Sequence, residues 1–246
     1  MSKKILIIGG TREGNKLADF FQSHNYNYII SYAGIVEQVN EKKFKKRIGG
    51  FGGKNGMIDY IQNNKITHII DASHPFSKTI SLNTFSACKL SKTPLIALYR
   101  KPWYKQKKDN WIRVKSFSES TNYLKGTPKN VFLAIGKKYL NLYTNFNQHF
   151  YLLRLLENKE KKKFFTNQKC ILSRGPFSVE TDKKILVKYN IELIISKNSG
   201  GDGAYSKIIA GRELKIPVVM ISRPKIKSIA KVYDHISVLN WLNQDG

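Results

Sequence analysis

The sequence predicts an α/β protein of two parallel-sheet domains, and three observations carry that reading. Short apolar runs such as residues 4–8, Tyr28–Tyr32, His68–Asp71 and Val218–Ile221 are continuous rather than alternating, as strands covered on both faces require. Helical patterns separate these runs, the arrangement that joins parallel neighbours by crossovers. Glycine-rich turns follow several runs where the chain must bend sharply into a helix. Together these features describe a doubly wound sheet of Rossmann or flavodoxin type, repeated twice, with loops gathered at the C-terminal strand ends. Ligands of such sheets bind in that crevice.

The opening run, residues 4–8, ends in Gly9-Gly10-Thr11-Arg12-Glu13-Gly14 and leads into a helix with apolar Leu17, Ala18, Phe20 and Phe21. This differs from G-x-G-x-x-G, yet a double glycine still suits a turn that brings backbone close to a ligand. Thr11 is placed either to meet a phosphate or to cap the helix. Tyr28–Tyr32 is the second strand, whose end lies where an adenosine ribose sits in such folds. After a basic stretch comes Gly49-Gly50-Phe51-Gly52-Gly53, a loop able to approach a ligand closely, with Asn55 as candidate cap of the next helix. His68–Asp71 leads into Ala72-Ser73-His74-Pro75-Phe76. Proline holds His74 extended, and an imidazole there can pass protons near neutral pH. Residues 94–98 form another strand, ending near Arg100.

Trp111–Val114 is read as an edge strand and the domain boundary is set beside it, giving domains 1–114 and 115–246. In the second half, strands are expected at residues 131–135, 150–153, 170–173 and 193–195. A helix opens at Ser178, and another follows the loop Ser199-Gly200-Gly201-Asp202-Gly203. A glycine turn entering a helix exposes unpaired N–H groups and a positive dipole end, suited to an anion, with Lys197 and Lys207 beside it. Residues 234–242 close the chain as an amphipathic helix. Basic residues recur at strand ends: Arg100, Arg154, Arg174, Lys197 and Arg223. That recurrence points to an anionic ligand held between the domains.

Composition narrows the function. The chain has 246 residues, with 43 Lys+Arg against 17 Asp+Glu, a net charge of +26 that favours anionic partners. The lysines are dispersed and no nucleic-acid motif organises them, so a basic nucleic-acid-binding protein is the weaker alternative. Another NAD(P)-dependent enzyme acting on an acidic metabolite is the nearer one. The two cysteines sit singly in apolar patterns and the five histidines lack ligand spacing, which implies reduced thiols and no metal. No apolar run approaches the roughly 20 residues that cross a bilayer, and the start shows no signal-peptide pattern; a cytoplasmic protein is expected.

The order of motifs is specific. Ile8-Gly9-Gly10-Thr11-Arg12-Glu13, the glycine loop at 49–53, Asp71-Ala72-Ser73-His74-Pro75-Phe76 and Arg100-Lys101-Pro102-Trp103 occupy the first half. Ser173-Arg174-Gly175-Pro176-Phe177, Lys197-Asn198-Ser199-Gly200-Gly201, Lys207, and Ile216-Pro217-Val218-Val219-Met220 with Arg223-Pro224 occupy the second. In this order the chain resembles the precorrin-6A reductase family, including its cobalt-precorrin form, of cobalamin biosynthesis. The resemblance implies NADPH-dependent reduction of a C=C bond in an anionic tetrapyrrole-derived macrocycle. It assigns Gly9, Gly10, Thr11, Ser31, Gly34, Gly49, Gly50, Gly52, Gly53 and Ser73 to the dinucleotide. Arg100, Arg174, Lys197, Ser199, Gly200, Gly201, Lys207 and Arg223 are assigned to the substrate, and His74 is the candidate proton relay. One departure bears on the cofactor: Ile35 stands where the family pattern has a basic residue for the 2′-phosphate, leaving Lys42, Lys43, Lys45 or Lys46 to substitute.

Overall fold

The structure is a computed structural model that describes residues 3–33, 44–156, 163–173, 175–226 and 229–244. Its elements in chain order begin β1 (Ile5–Ile8), α1 (Arg12–Ser23), β2 (Tyr28–Tyr32), β3 (Lys46–Ile48), α2 (Gly53–Asn63), β4 (His68–Asp71), α3 (Lys78–Ser91) and β5 (Leu95–Leu98). There follow β6 (Trp111–Val114), α4 (Phe117–Ser120), β7 (Asn130–Ala134), β8 (Phe150–Leu155), β9 (Gln168–Leu172), α5 (Val179–Lys188), β10 (Leu193–Lys197), α6 (Ser206–Glu213), β11 (Val218–Ile221), β12 (Lys231–Val232) and α7 (His235–Gln244).

The chain forms two units, one from residues 1–101 with 224–246, the other from residues 102–223. Each contains a six-stranded sheet in which all the pairings are parallel. The first runs β12-β5-β4-β1-β2-β3 and the second β6-β11-β10-β7-β8-β9. Both are doubly wound, as the continuous apolar runs require.

The boundary expected at Val114 moves to residue 101, for a reason that lies in the sixth strands. β6 pairs with β11, Trp111 opposite Val218 and Val114 opposite Ile221, so it belongs to the second sheet. The sixth place in the first sheet is taken by β12, which returns after the whole second unit and pairs with β5 through Lys231–Ala97 and Val232–Leu98. The second sheet is thus built from six consecutive strands, while the first takes its sixth from beyond the second unit.

In the first unit, successive residues of one strand serve opposite faces. Ile5 and Ile7 pack with Leu17, Ala18 and Phe21 of α1 and with Val238 and Leu242 of α7. Leu6 and Ile8 pack with Met57 and Ile61 of α2 and Ala87 and Cys88 of α3. The period-two alternation of a strand, buried on both sides, yields the unbroken ILII. In α1 the buried positions Gly14, Leu17, Ala18 and Phe21 fall on one helical stripe. In the second unit Phe132, Leu152, Ile194, Val218 and Met220 face Leu186 of α5 and Ile208 and Ala210 of α6. Among the described residues no helix is long and apolar enough to cross a membrane.

Candidate active site

In the first unit the strand order reverses between β1 and β4, and the chain segments leaving those two strands flank the crevice. Three glycines of the first turn have separate duties. A Cβ on Gly9 would lie 2.9 Å from Ile30 Cγ1 and 3.0 Å from a ring carbon of Tyr32, so β1 fits against β2 only without one. Gly10 has φ +114° and open space around its Cα, the backbone shape a tight anion-facing turn needs. A Cβ on Gly14 would come within 3.1 Å of the Ala72 Cβ, so α1 lies close over the end of β4. These are the duties of a dinucleotide fingerprint, at a different spacing. Thr11 caps α1, its hydroxyl accepting from Gly14 N–H at 3.1 Å and donating to the Ala72 carbonyl at 2.7 Å across the crevice. The hydroxyl is therefore engaged within the protein.

A second cluster joins the end of β2 to the glycine loop. Ser31 and Arg47 are opposite one another on β2 and β3, and Arg47 Nη1 donates to Ser31 Oγ at 2.8 Å. The same guanidinium donates to the carbonyls of Gly49 (3.0 Å) and Gly50 (2.9 Å) and lies 3.9 Å from the Phe51 ring centroid. Gly49, Gly50, Gly52 and Gly53 all have open space where a side chain would go, and all but Gly50 have positive φ. α2 is capped by Gly52 rather than by the expected Asn55, which lies inside the helix. Gly34 lies outside the described residues. Arg47 and Gly56 were not singled out in the sequence. A Cβ on Gly56 would sit 1.8 Å from the Phe51 carbonyl oxygen, so this glycine closes the loop back onto α2.

In the segment from the end of β4 to Phe76, only His74 is partly exposed. Asp71 is fully buried; one carboxylate oxygen accepts from Ser73 N–H at 3.0 Å and the other has no partner among the described residues. Ser73 is buried too, its hydroxyl 3.2 Å from that of Ser81 on α3. His74 is half-buried, and its Nδ1 accepts from Phe76 N–H at 3.1 Å. A backbone amide can only donate, so Nδ1 keeps its lone pair and the ring proton sits on Nε2. Arg100 leaves β5 with its Nε 2.9 Å from Glu13 Oε2, an ion pair whose burial lowers the arginine's pKa. Its charge is thus balanced within the unit.

In the second unit the reversal falls between β7 and β10. Gly136 follows β7 with φ +82°, and Lys197 Nζ lies 3.7 Å from where its Cβ would be. The loop after β10 is held from two sides. Asn198 accepts from Trp103 N–H at 2.8 Å and donates back to its carbonyl at 2.9 Å, while Trp103 Nε1 donates to Gly201 O at 2.7 Å. Arg223 donates to the carbonyls of Asn198 (2.8 Å) and Ser199 (3.0 Å). Gly200 and Gly201, at φ +67° and +66°, make the left-handed bend that this clamping requires. Arg223 shapes the loop, a duty its strand-end position did not reveal.

Behind the loop, Arg154 near the end of β8 pairs with buried Asp182, whose other oxygen accepts from Ser206 Oγ at 2.6 Å. The guanidinium lies 4.2 Å from the Phe177 ring centroid and 5.1 Å from that of Phe132, and its buried Nε has no hydrogen-bond partner among the described residues. Lys207 is buried beside it. Arg174 lies outside the described residues.

Two doubly wound sheets, one opening on glycine turns and a helix N-terminus and the other on clustered cations, define an α/β protein of the Rossmann class. Comparison with known proteins gives the particular family. Residues 4–243 match the family model described as precorrin-6x reductase CbiJ/CobK, and the chain belongs to that family. It is 36% identical over 243 residues to the precorrin-6A reductase of Rhodobacter capsulatus, covering 99% of this chain and 97% of the relative. It is 28% identical to the cobalt-precorrin-6A reductase of Priestia megaterium, with 91% of each chain covered. A solved structure described as CobK precorrin-6A reductase superposes with a TM-score of 0.94 at 36% identity, over 99% of this chain and 97% of the other.

Proposed function

We propose that this protein catalyses the NADPH-dependent reduction of one C=C bond in the macrocycle of precorrin-6A or cobalt-precorrin-6A, giving the 6B form. The observation that carries the reading is likeness to precorrin-6A reductases along nearly the whole chain, in sequence and in fold. When bound, the nicotinamide supplies the hydride.

The first unit's residues fit a dinucleotide. The open, left-handed Gly10 leads into the N-terminus of α1, a seat for a pyrophosphate. Ser31 and the glycine loop stand at the end of β2, on the adenosine side, and Arg47 adds a cation there despite Ile35. Ser73 and Thr11 hold the two strand ends in place around the crevice. His74 offers Nε2–H, which suits it to orient a ligand carbonyl or hydroxyl; any proton it relays passes through Nε2. In the second unit Lys197, Lys207 and the loop of Ser199, Gly200 and Gly201 receive substrate carboxylates, with Arg174 and Arg223 assigned to the same task. The protein's task is to orient the macrocycle and exclude water from it.

The test is to add NADPH or NADH and purified protein to precorrin-6A and to its cobalt form. The expected result is a change in macrocycle absorption matched mole for mole by loss of reduced cofactor. No change with either macrocycle and either cofactor overturns the reading.

A further inference from the structure

Reduction of a C=C bond consumes a proton along with the hydride, and the second unit contains an amine placed to carry one. Lys207 lies in the first turn of α6 and is only 5% exposed. Its Nζ has one hydrogen-bond acceptor among the described residues, the Ala204 carbonyl at 2.5 Å, and lies 4.9 Å from the Trp103 ring centroid. The charged groups that face it are Arg154 from β8, Asp182 from α5 and Lys197 from β10, with none from α6 itself. Asp182 is already shared by Arg154 and the Ser206 hydroxyl. The carboxylate nearest Lys207 is therefore already committed, and the buried Nε of Arg154 has no partner among the described residues. Burial first, then repulsion from Arg154 and Lys197, lowers the Lys207 pKa to about 7 against the attraction of Asp182. An added carboxylate in this corner reverses the balance, because an opposite charge nearby favours the ammonium form.

We propose that Lys207 takes up a proton when a substrate carboxylate docks beside Arg154 and Lys197, so that the proton needed by the reduction enters the site with the substrate. The inference rests on the reductase reading. Its step balances: one carbon of the double bond gains a hydride with two electrons, and the π electrons move to its neighbour. That neighbour takes the proton from the Lys207 ammonium. The lysine returns to the amine it was before binding, ready for the next substrate.

Two measurements test this. In the ligand-free protein, NMR titration of 13Cε-labelled lysines, assigned with Lys207→Arg, should show Lys207 titrating near neutrality. Saturation with precorrin-6A should keep it charged to a pH at least about one unit higher, the shift expected for an opposite charge in contact. In steady state, kcat/KM for precorrin-6A should fall above the free-enzyme value, while Lys207→Arg, which stays charged, loses that limb and lowers kcat by about tenfold or more. Thermal melts establish that the variant is folded; if it is not, the titration of the unaltered protein decides alone. Lys207 titrating in the ordinary lysine range, or not shifting with substrate, overturns the proposal, as does a folded Lys207→Arg with unchanged kcat and pH profile. In a protein that reduces precorrin-6A, any of these results sinks only this inference; absence of reduction sinks the reductase reading instead.

Discussion

Arg47 and Ser31 face each other across β3 and β2, guanidinium to hydroxyl at 2.8 Å, and through that contact the end of β2 and the loop at residues 49–53 become one structure. The arginine's guanidinium carbon lies over the Phe51 ring, and two loop carbonyls are its other acceptors. Arg47→Ala should therefore weaken the binding of 2′,5′-ADP far more than that of ADP, and raise KM for NADPH more than for NADH. Losing one charge-assisted contact is worth about 1.5–3 kcal/mol, or roughly ten- to a hundredfold in affinity. Calorimetry with the two nucleotides checks it; equal weakening would reduce Arg47 to a brace for the loop.

Two neighbouring glycines should behave in opposite ways. Gly56→Ala puts a methyl 1.8 Å from a backbone oxygen that cannot rotate aside, and overpacking of this kind costs about 1–3 kcal/mol or more. Gly50→Ala has open space and an ordinary φ, so its melting temperature should stay near that of the unaltered protein. If the loop lies against the dinucleotide, the second variant still loses cofactor affinity. Denaturant unfolding and cofactor titration of both variants separate the two effects.

His74 is fixed as a hydrogen-bond donor by Phe76 N–H at its Nδ1. Glutamine, whose amide N–H reaches a similar place, should retain most turnover, while His74→Ala should lower kcat by about tenfold, the scale of a positioning contact. The acid limb of the kcat profile should be the same in His74→Gln and the unaltered protein. Glutamine as damaging as alanine, with the limb abolished, would make His74 a titrating acid after all.

Asp182→Asn removes the counter-charge of Arg154, which is buried between Phe177 and Phe132, and weakens the acceptor of Ser206. Breaking a buried pair from one side costs about 3–5 kcal/mol. The midpoint of urea unfolding should fall accordingly. Asp182→Asn with Arg154→Met should recover part of the loss, since the uncompensated cation has gone.

The buried amine also gives stability a pH slope. The folded-state pKa of Lys207 is about 7, below its ordinary 10.5, so between these values the unfolded chain holds a proton that the folded chain lacks. Unfolding then takes up a proton, and raising pH favours the folded form. Burial moves the Cys88 thiol up to about 12, which works in the other direction above its ordinary value of 9. The comparison is therefore best made between pH 7 and 9. There the melting temperature should rise relative to that of Lys207→Met, and parallel curves would contradict it.

What was legible in the sequence was the local part. Unbroken runs such as ILII and VVMI announce strands covered on both faces, and the Gly9-Gly10 bend announces a turn into a helix. Trp111–Val114 could be read as an edge strand but not assigned to its sheet, and β12 was not legible, because Lys231–Val232 is two residues long and its partner β5 lies far back in the chain. Nor does spacing tell what each cation meets. Of the strand-end residues, Arg100 meets Glu13, Arg154 meets Asp182 and Arg223 holds loop carbonyls, while Lys197 stands beside Gly136. Arg47 was hidden inside a basic run whose register against β2 only pairing reveals. Lys207 could be named from its place after the glycine loop; that it is buried could not.

The return of β12 to β5 has a consequence for how the polypeptide emerges from the ribosome. Every strand of the second sheet has been made by residue 221, whereas the first sheet still waits for residues 231 and 232. The half that is translated first is completed last. A released chain truncated after residue 223 should resist protease over residues 102–223 while its leading hundred or so residues are still cut, an order opposite to the usual one from the N-terminus.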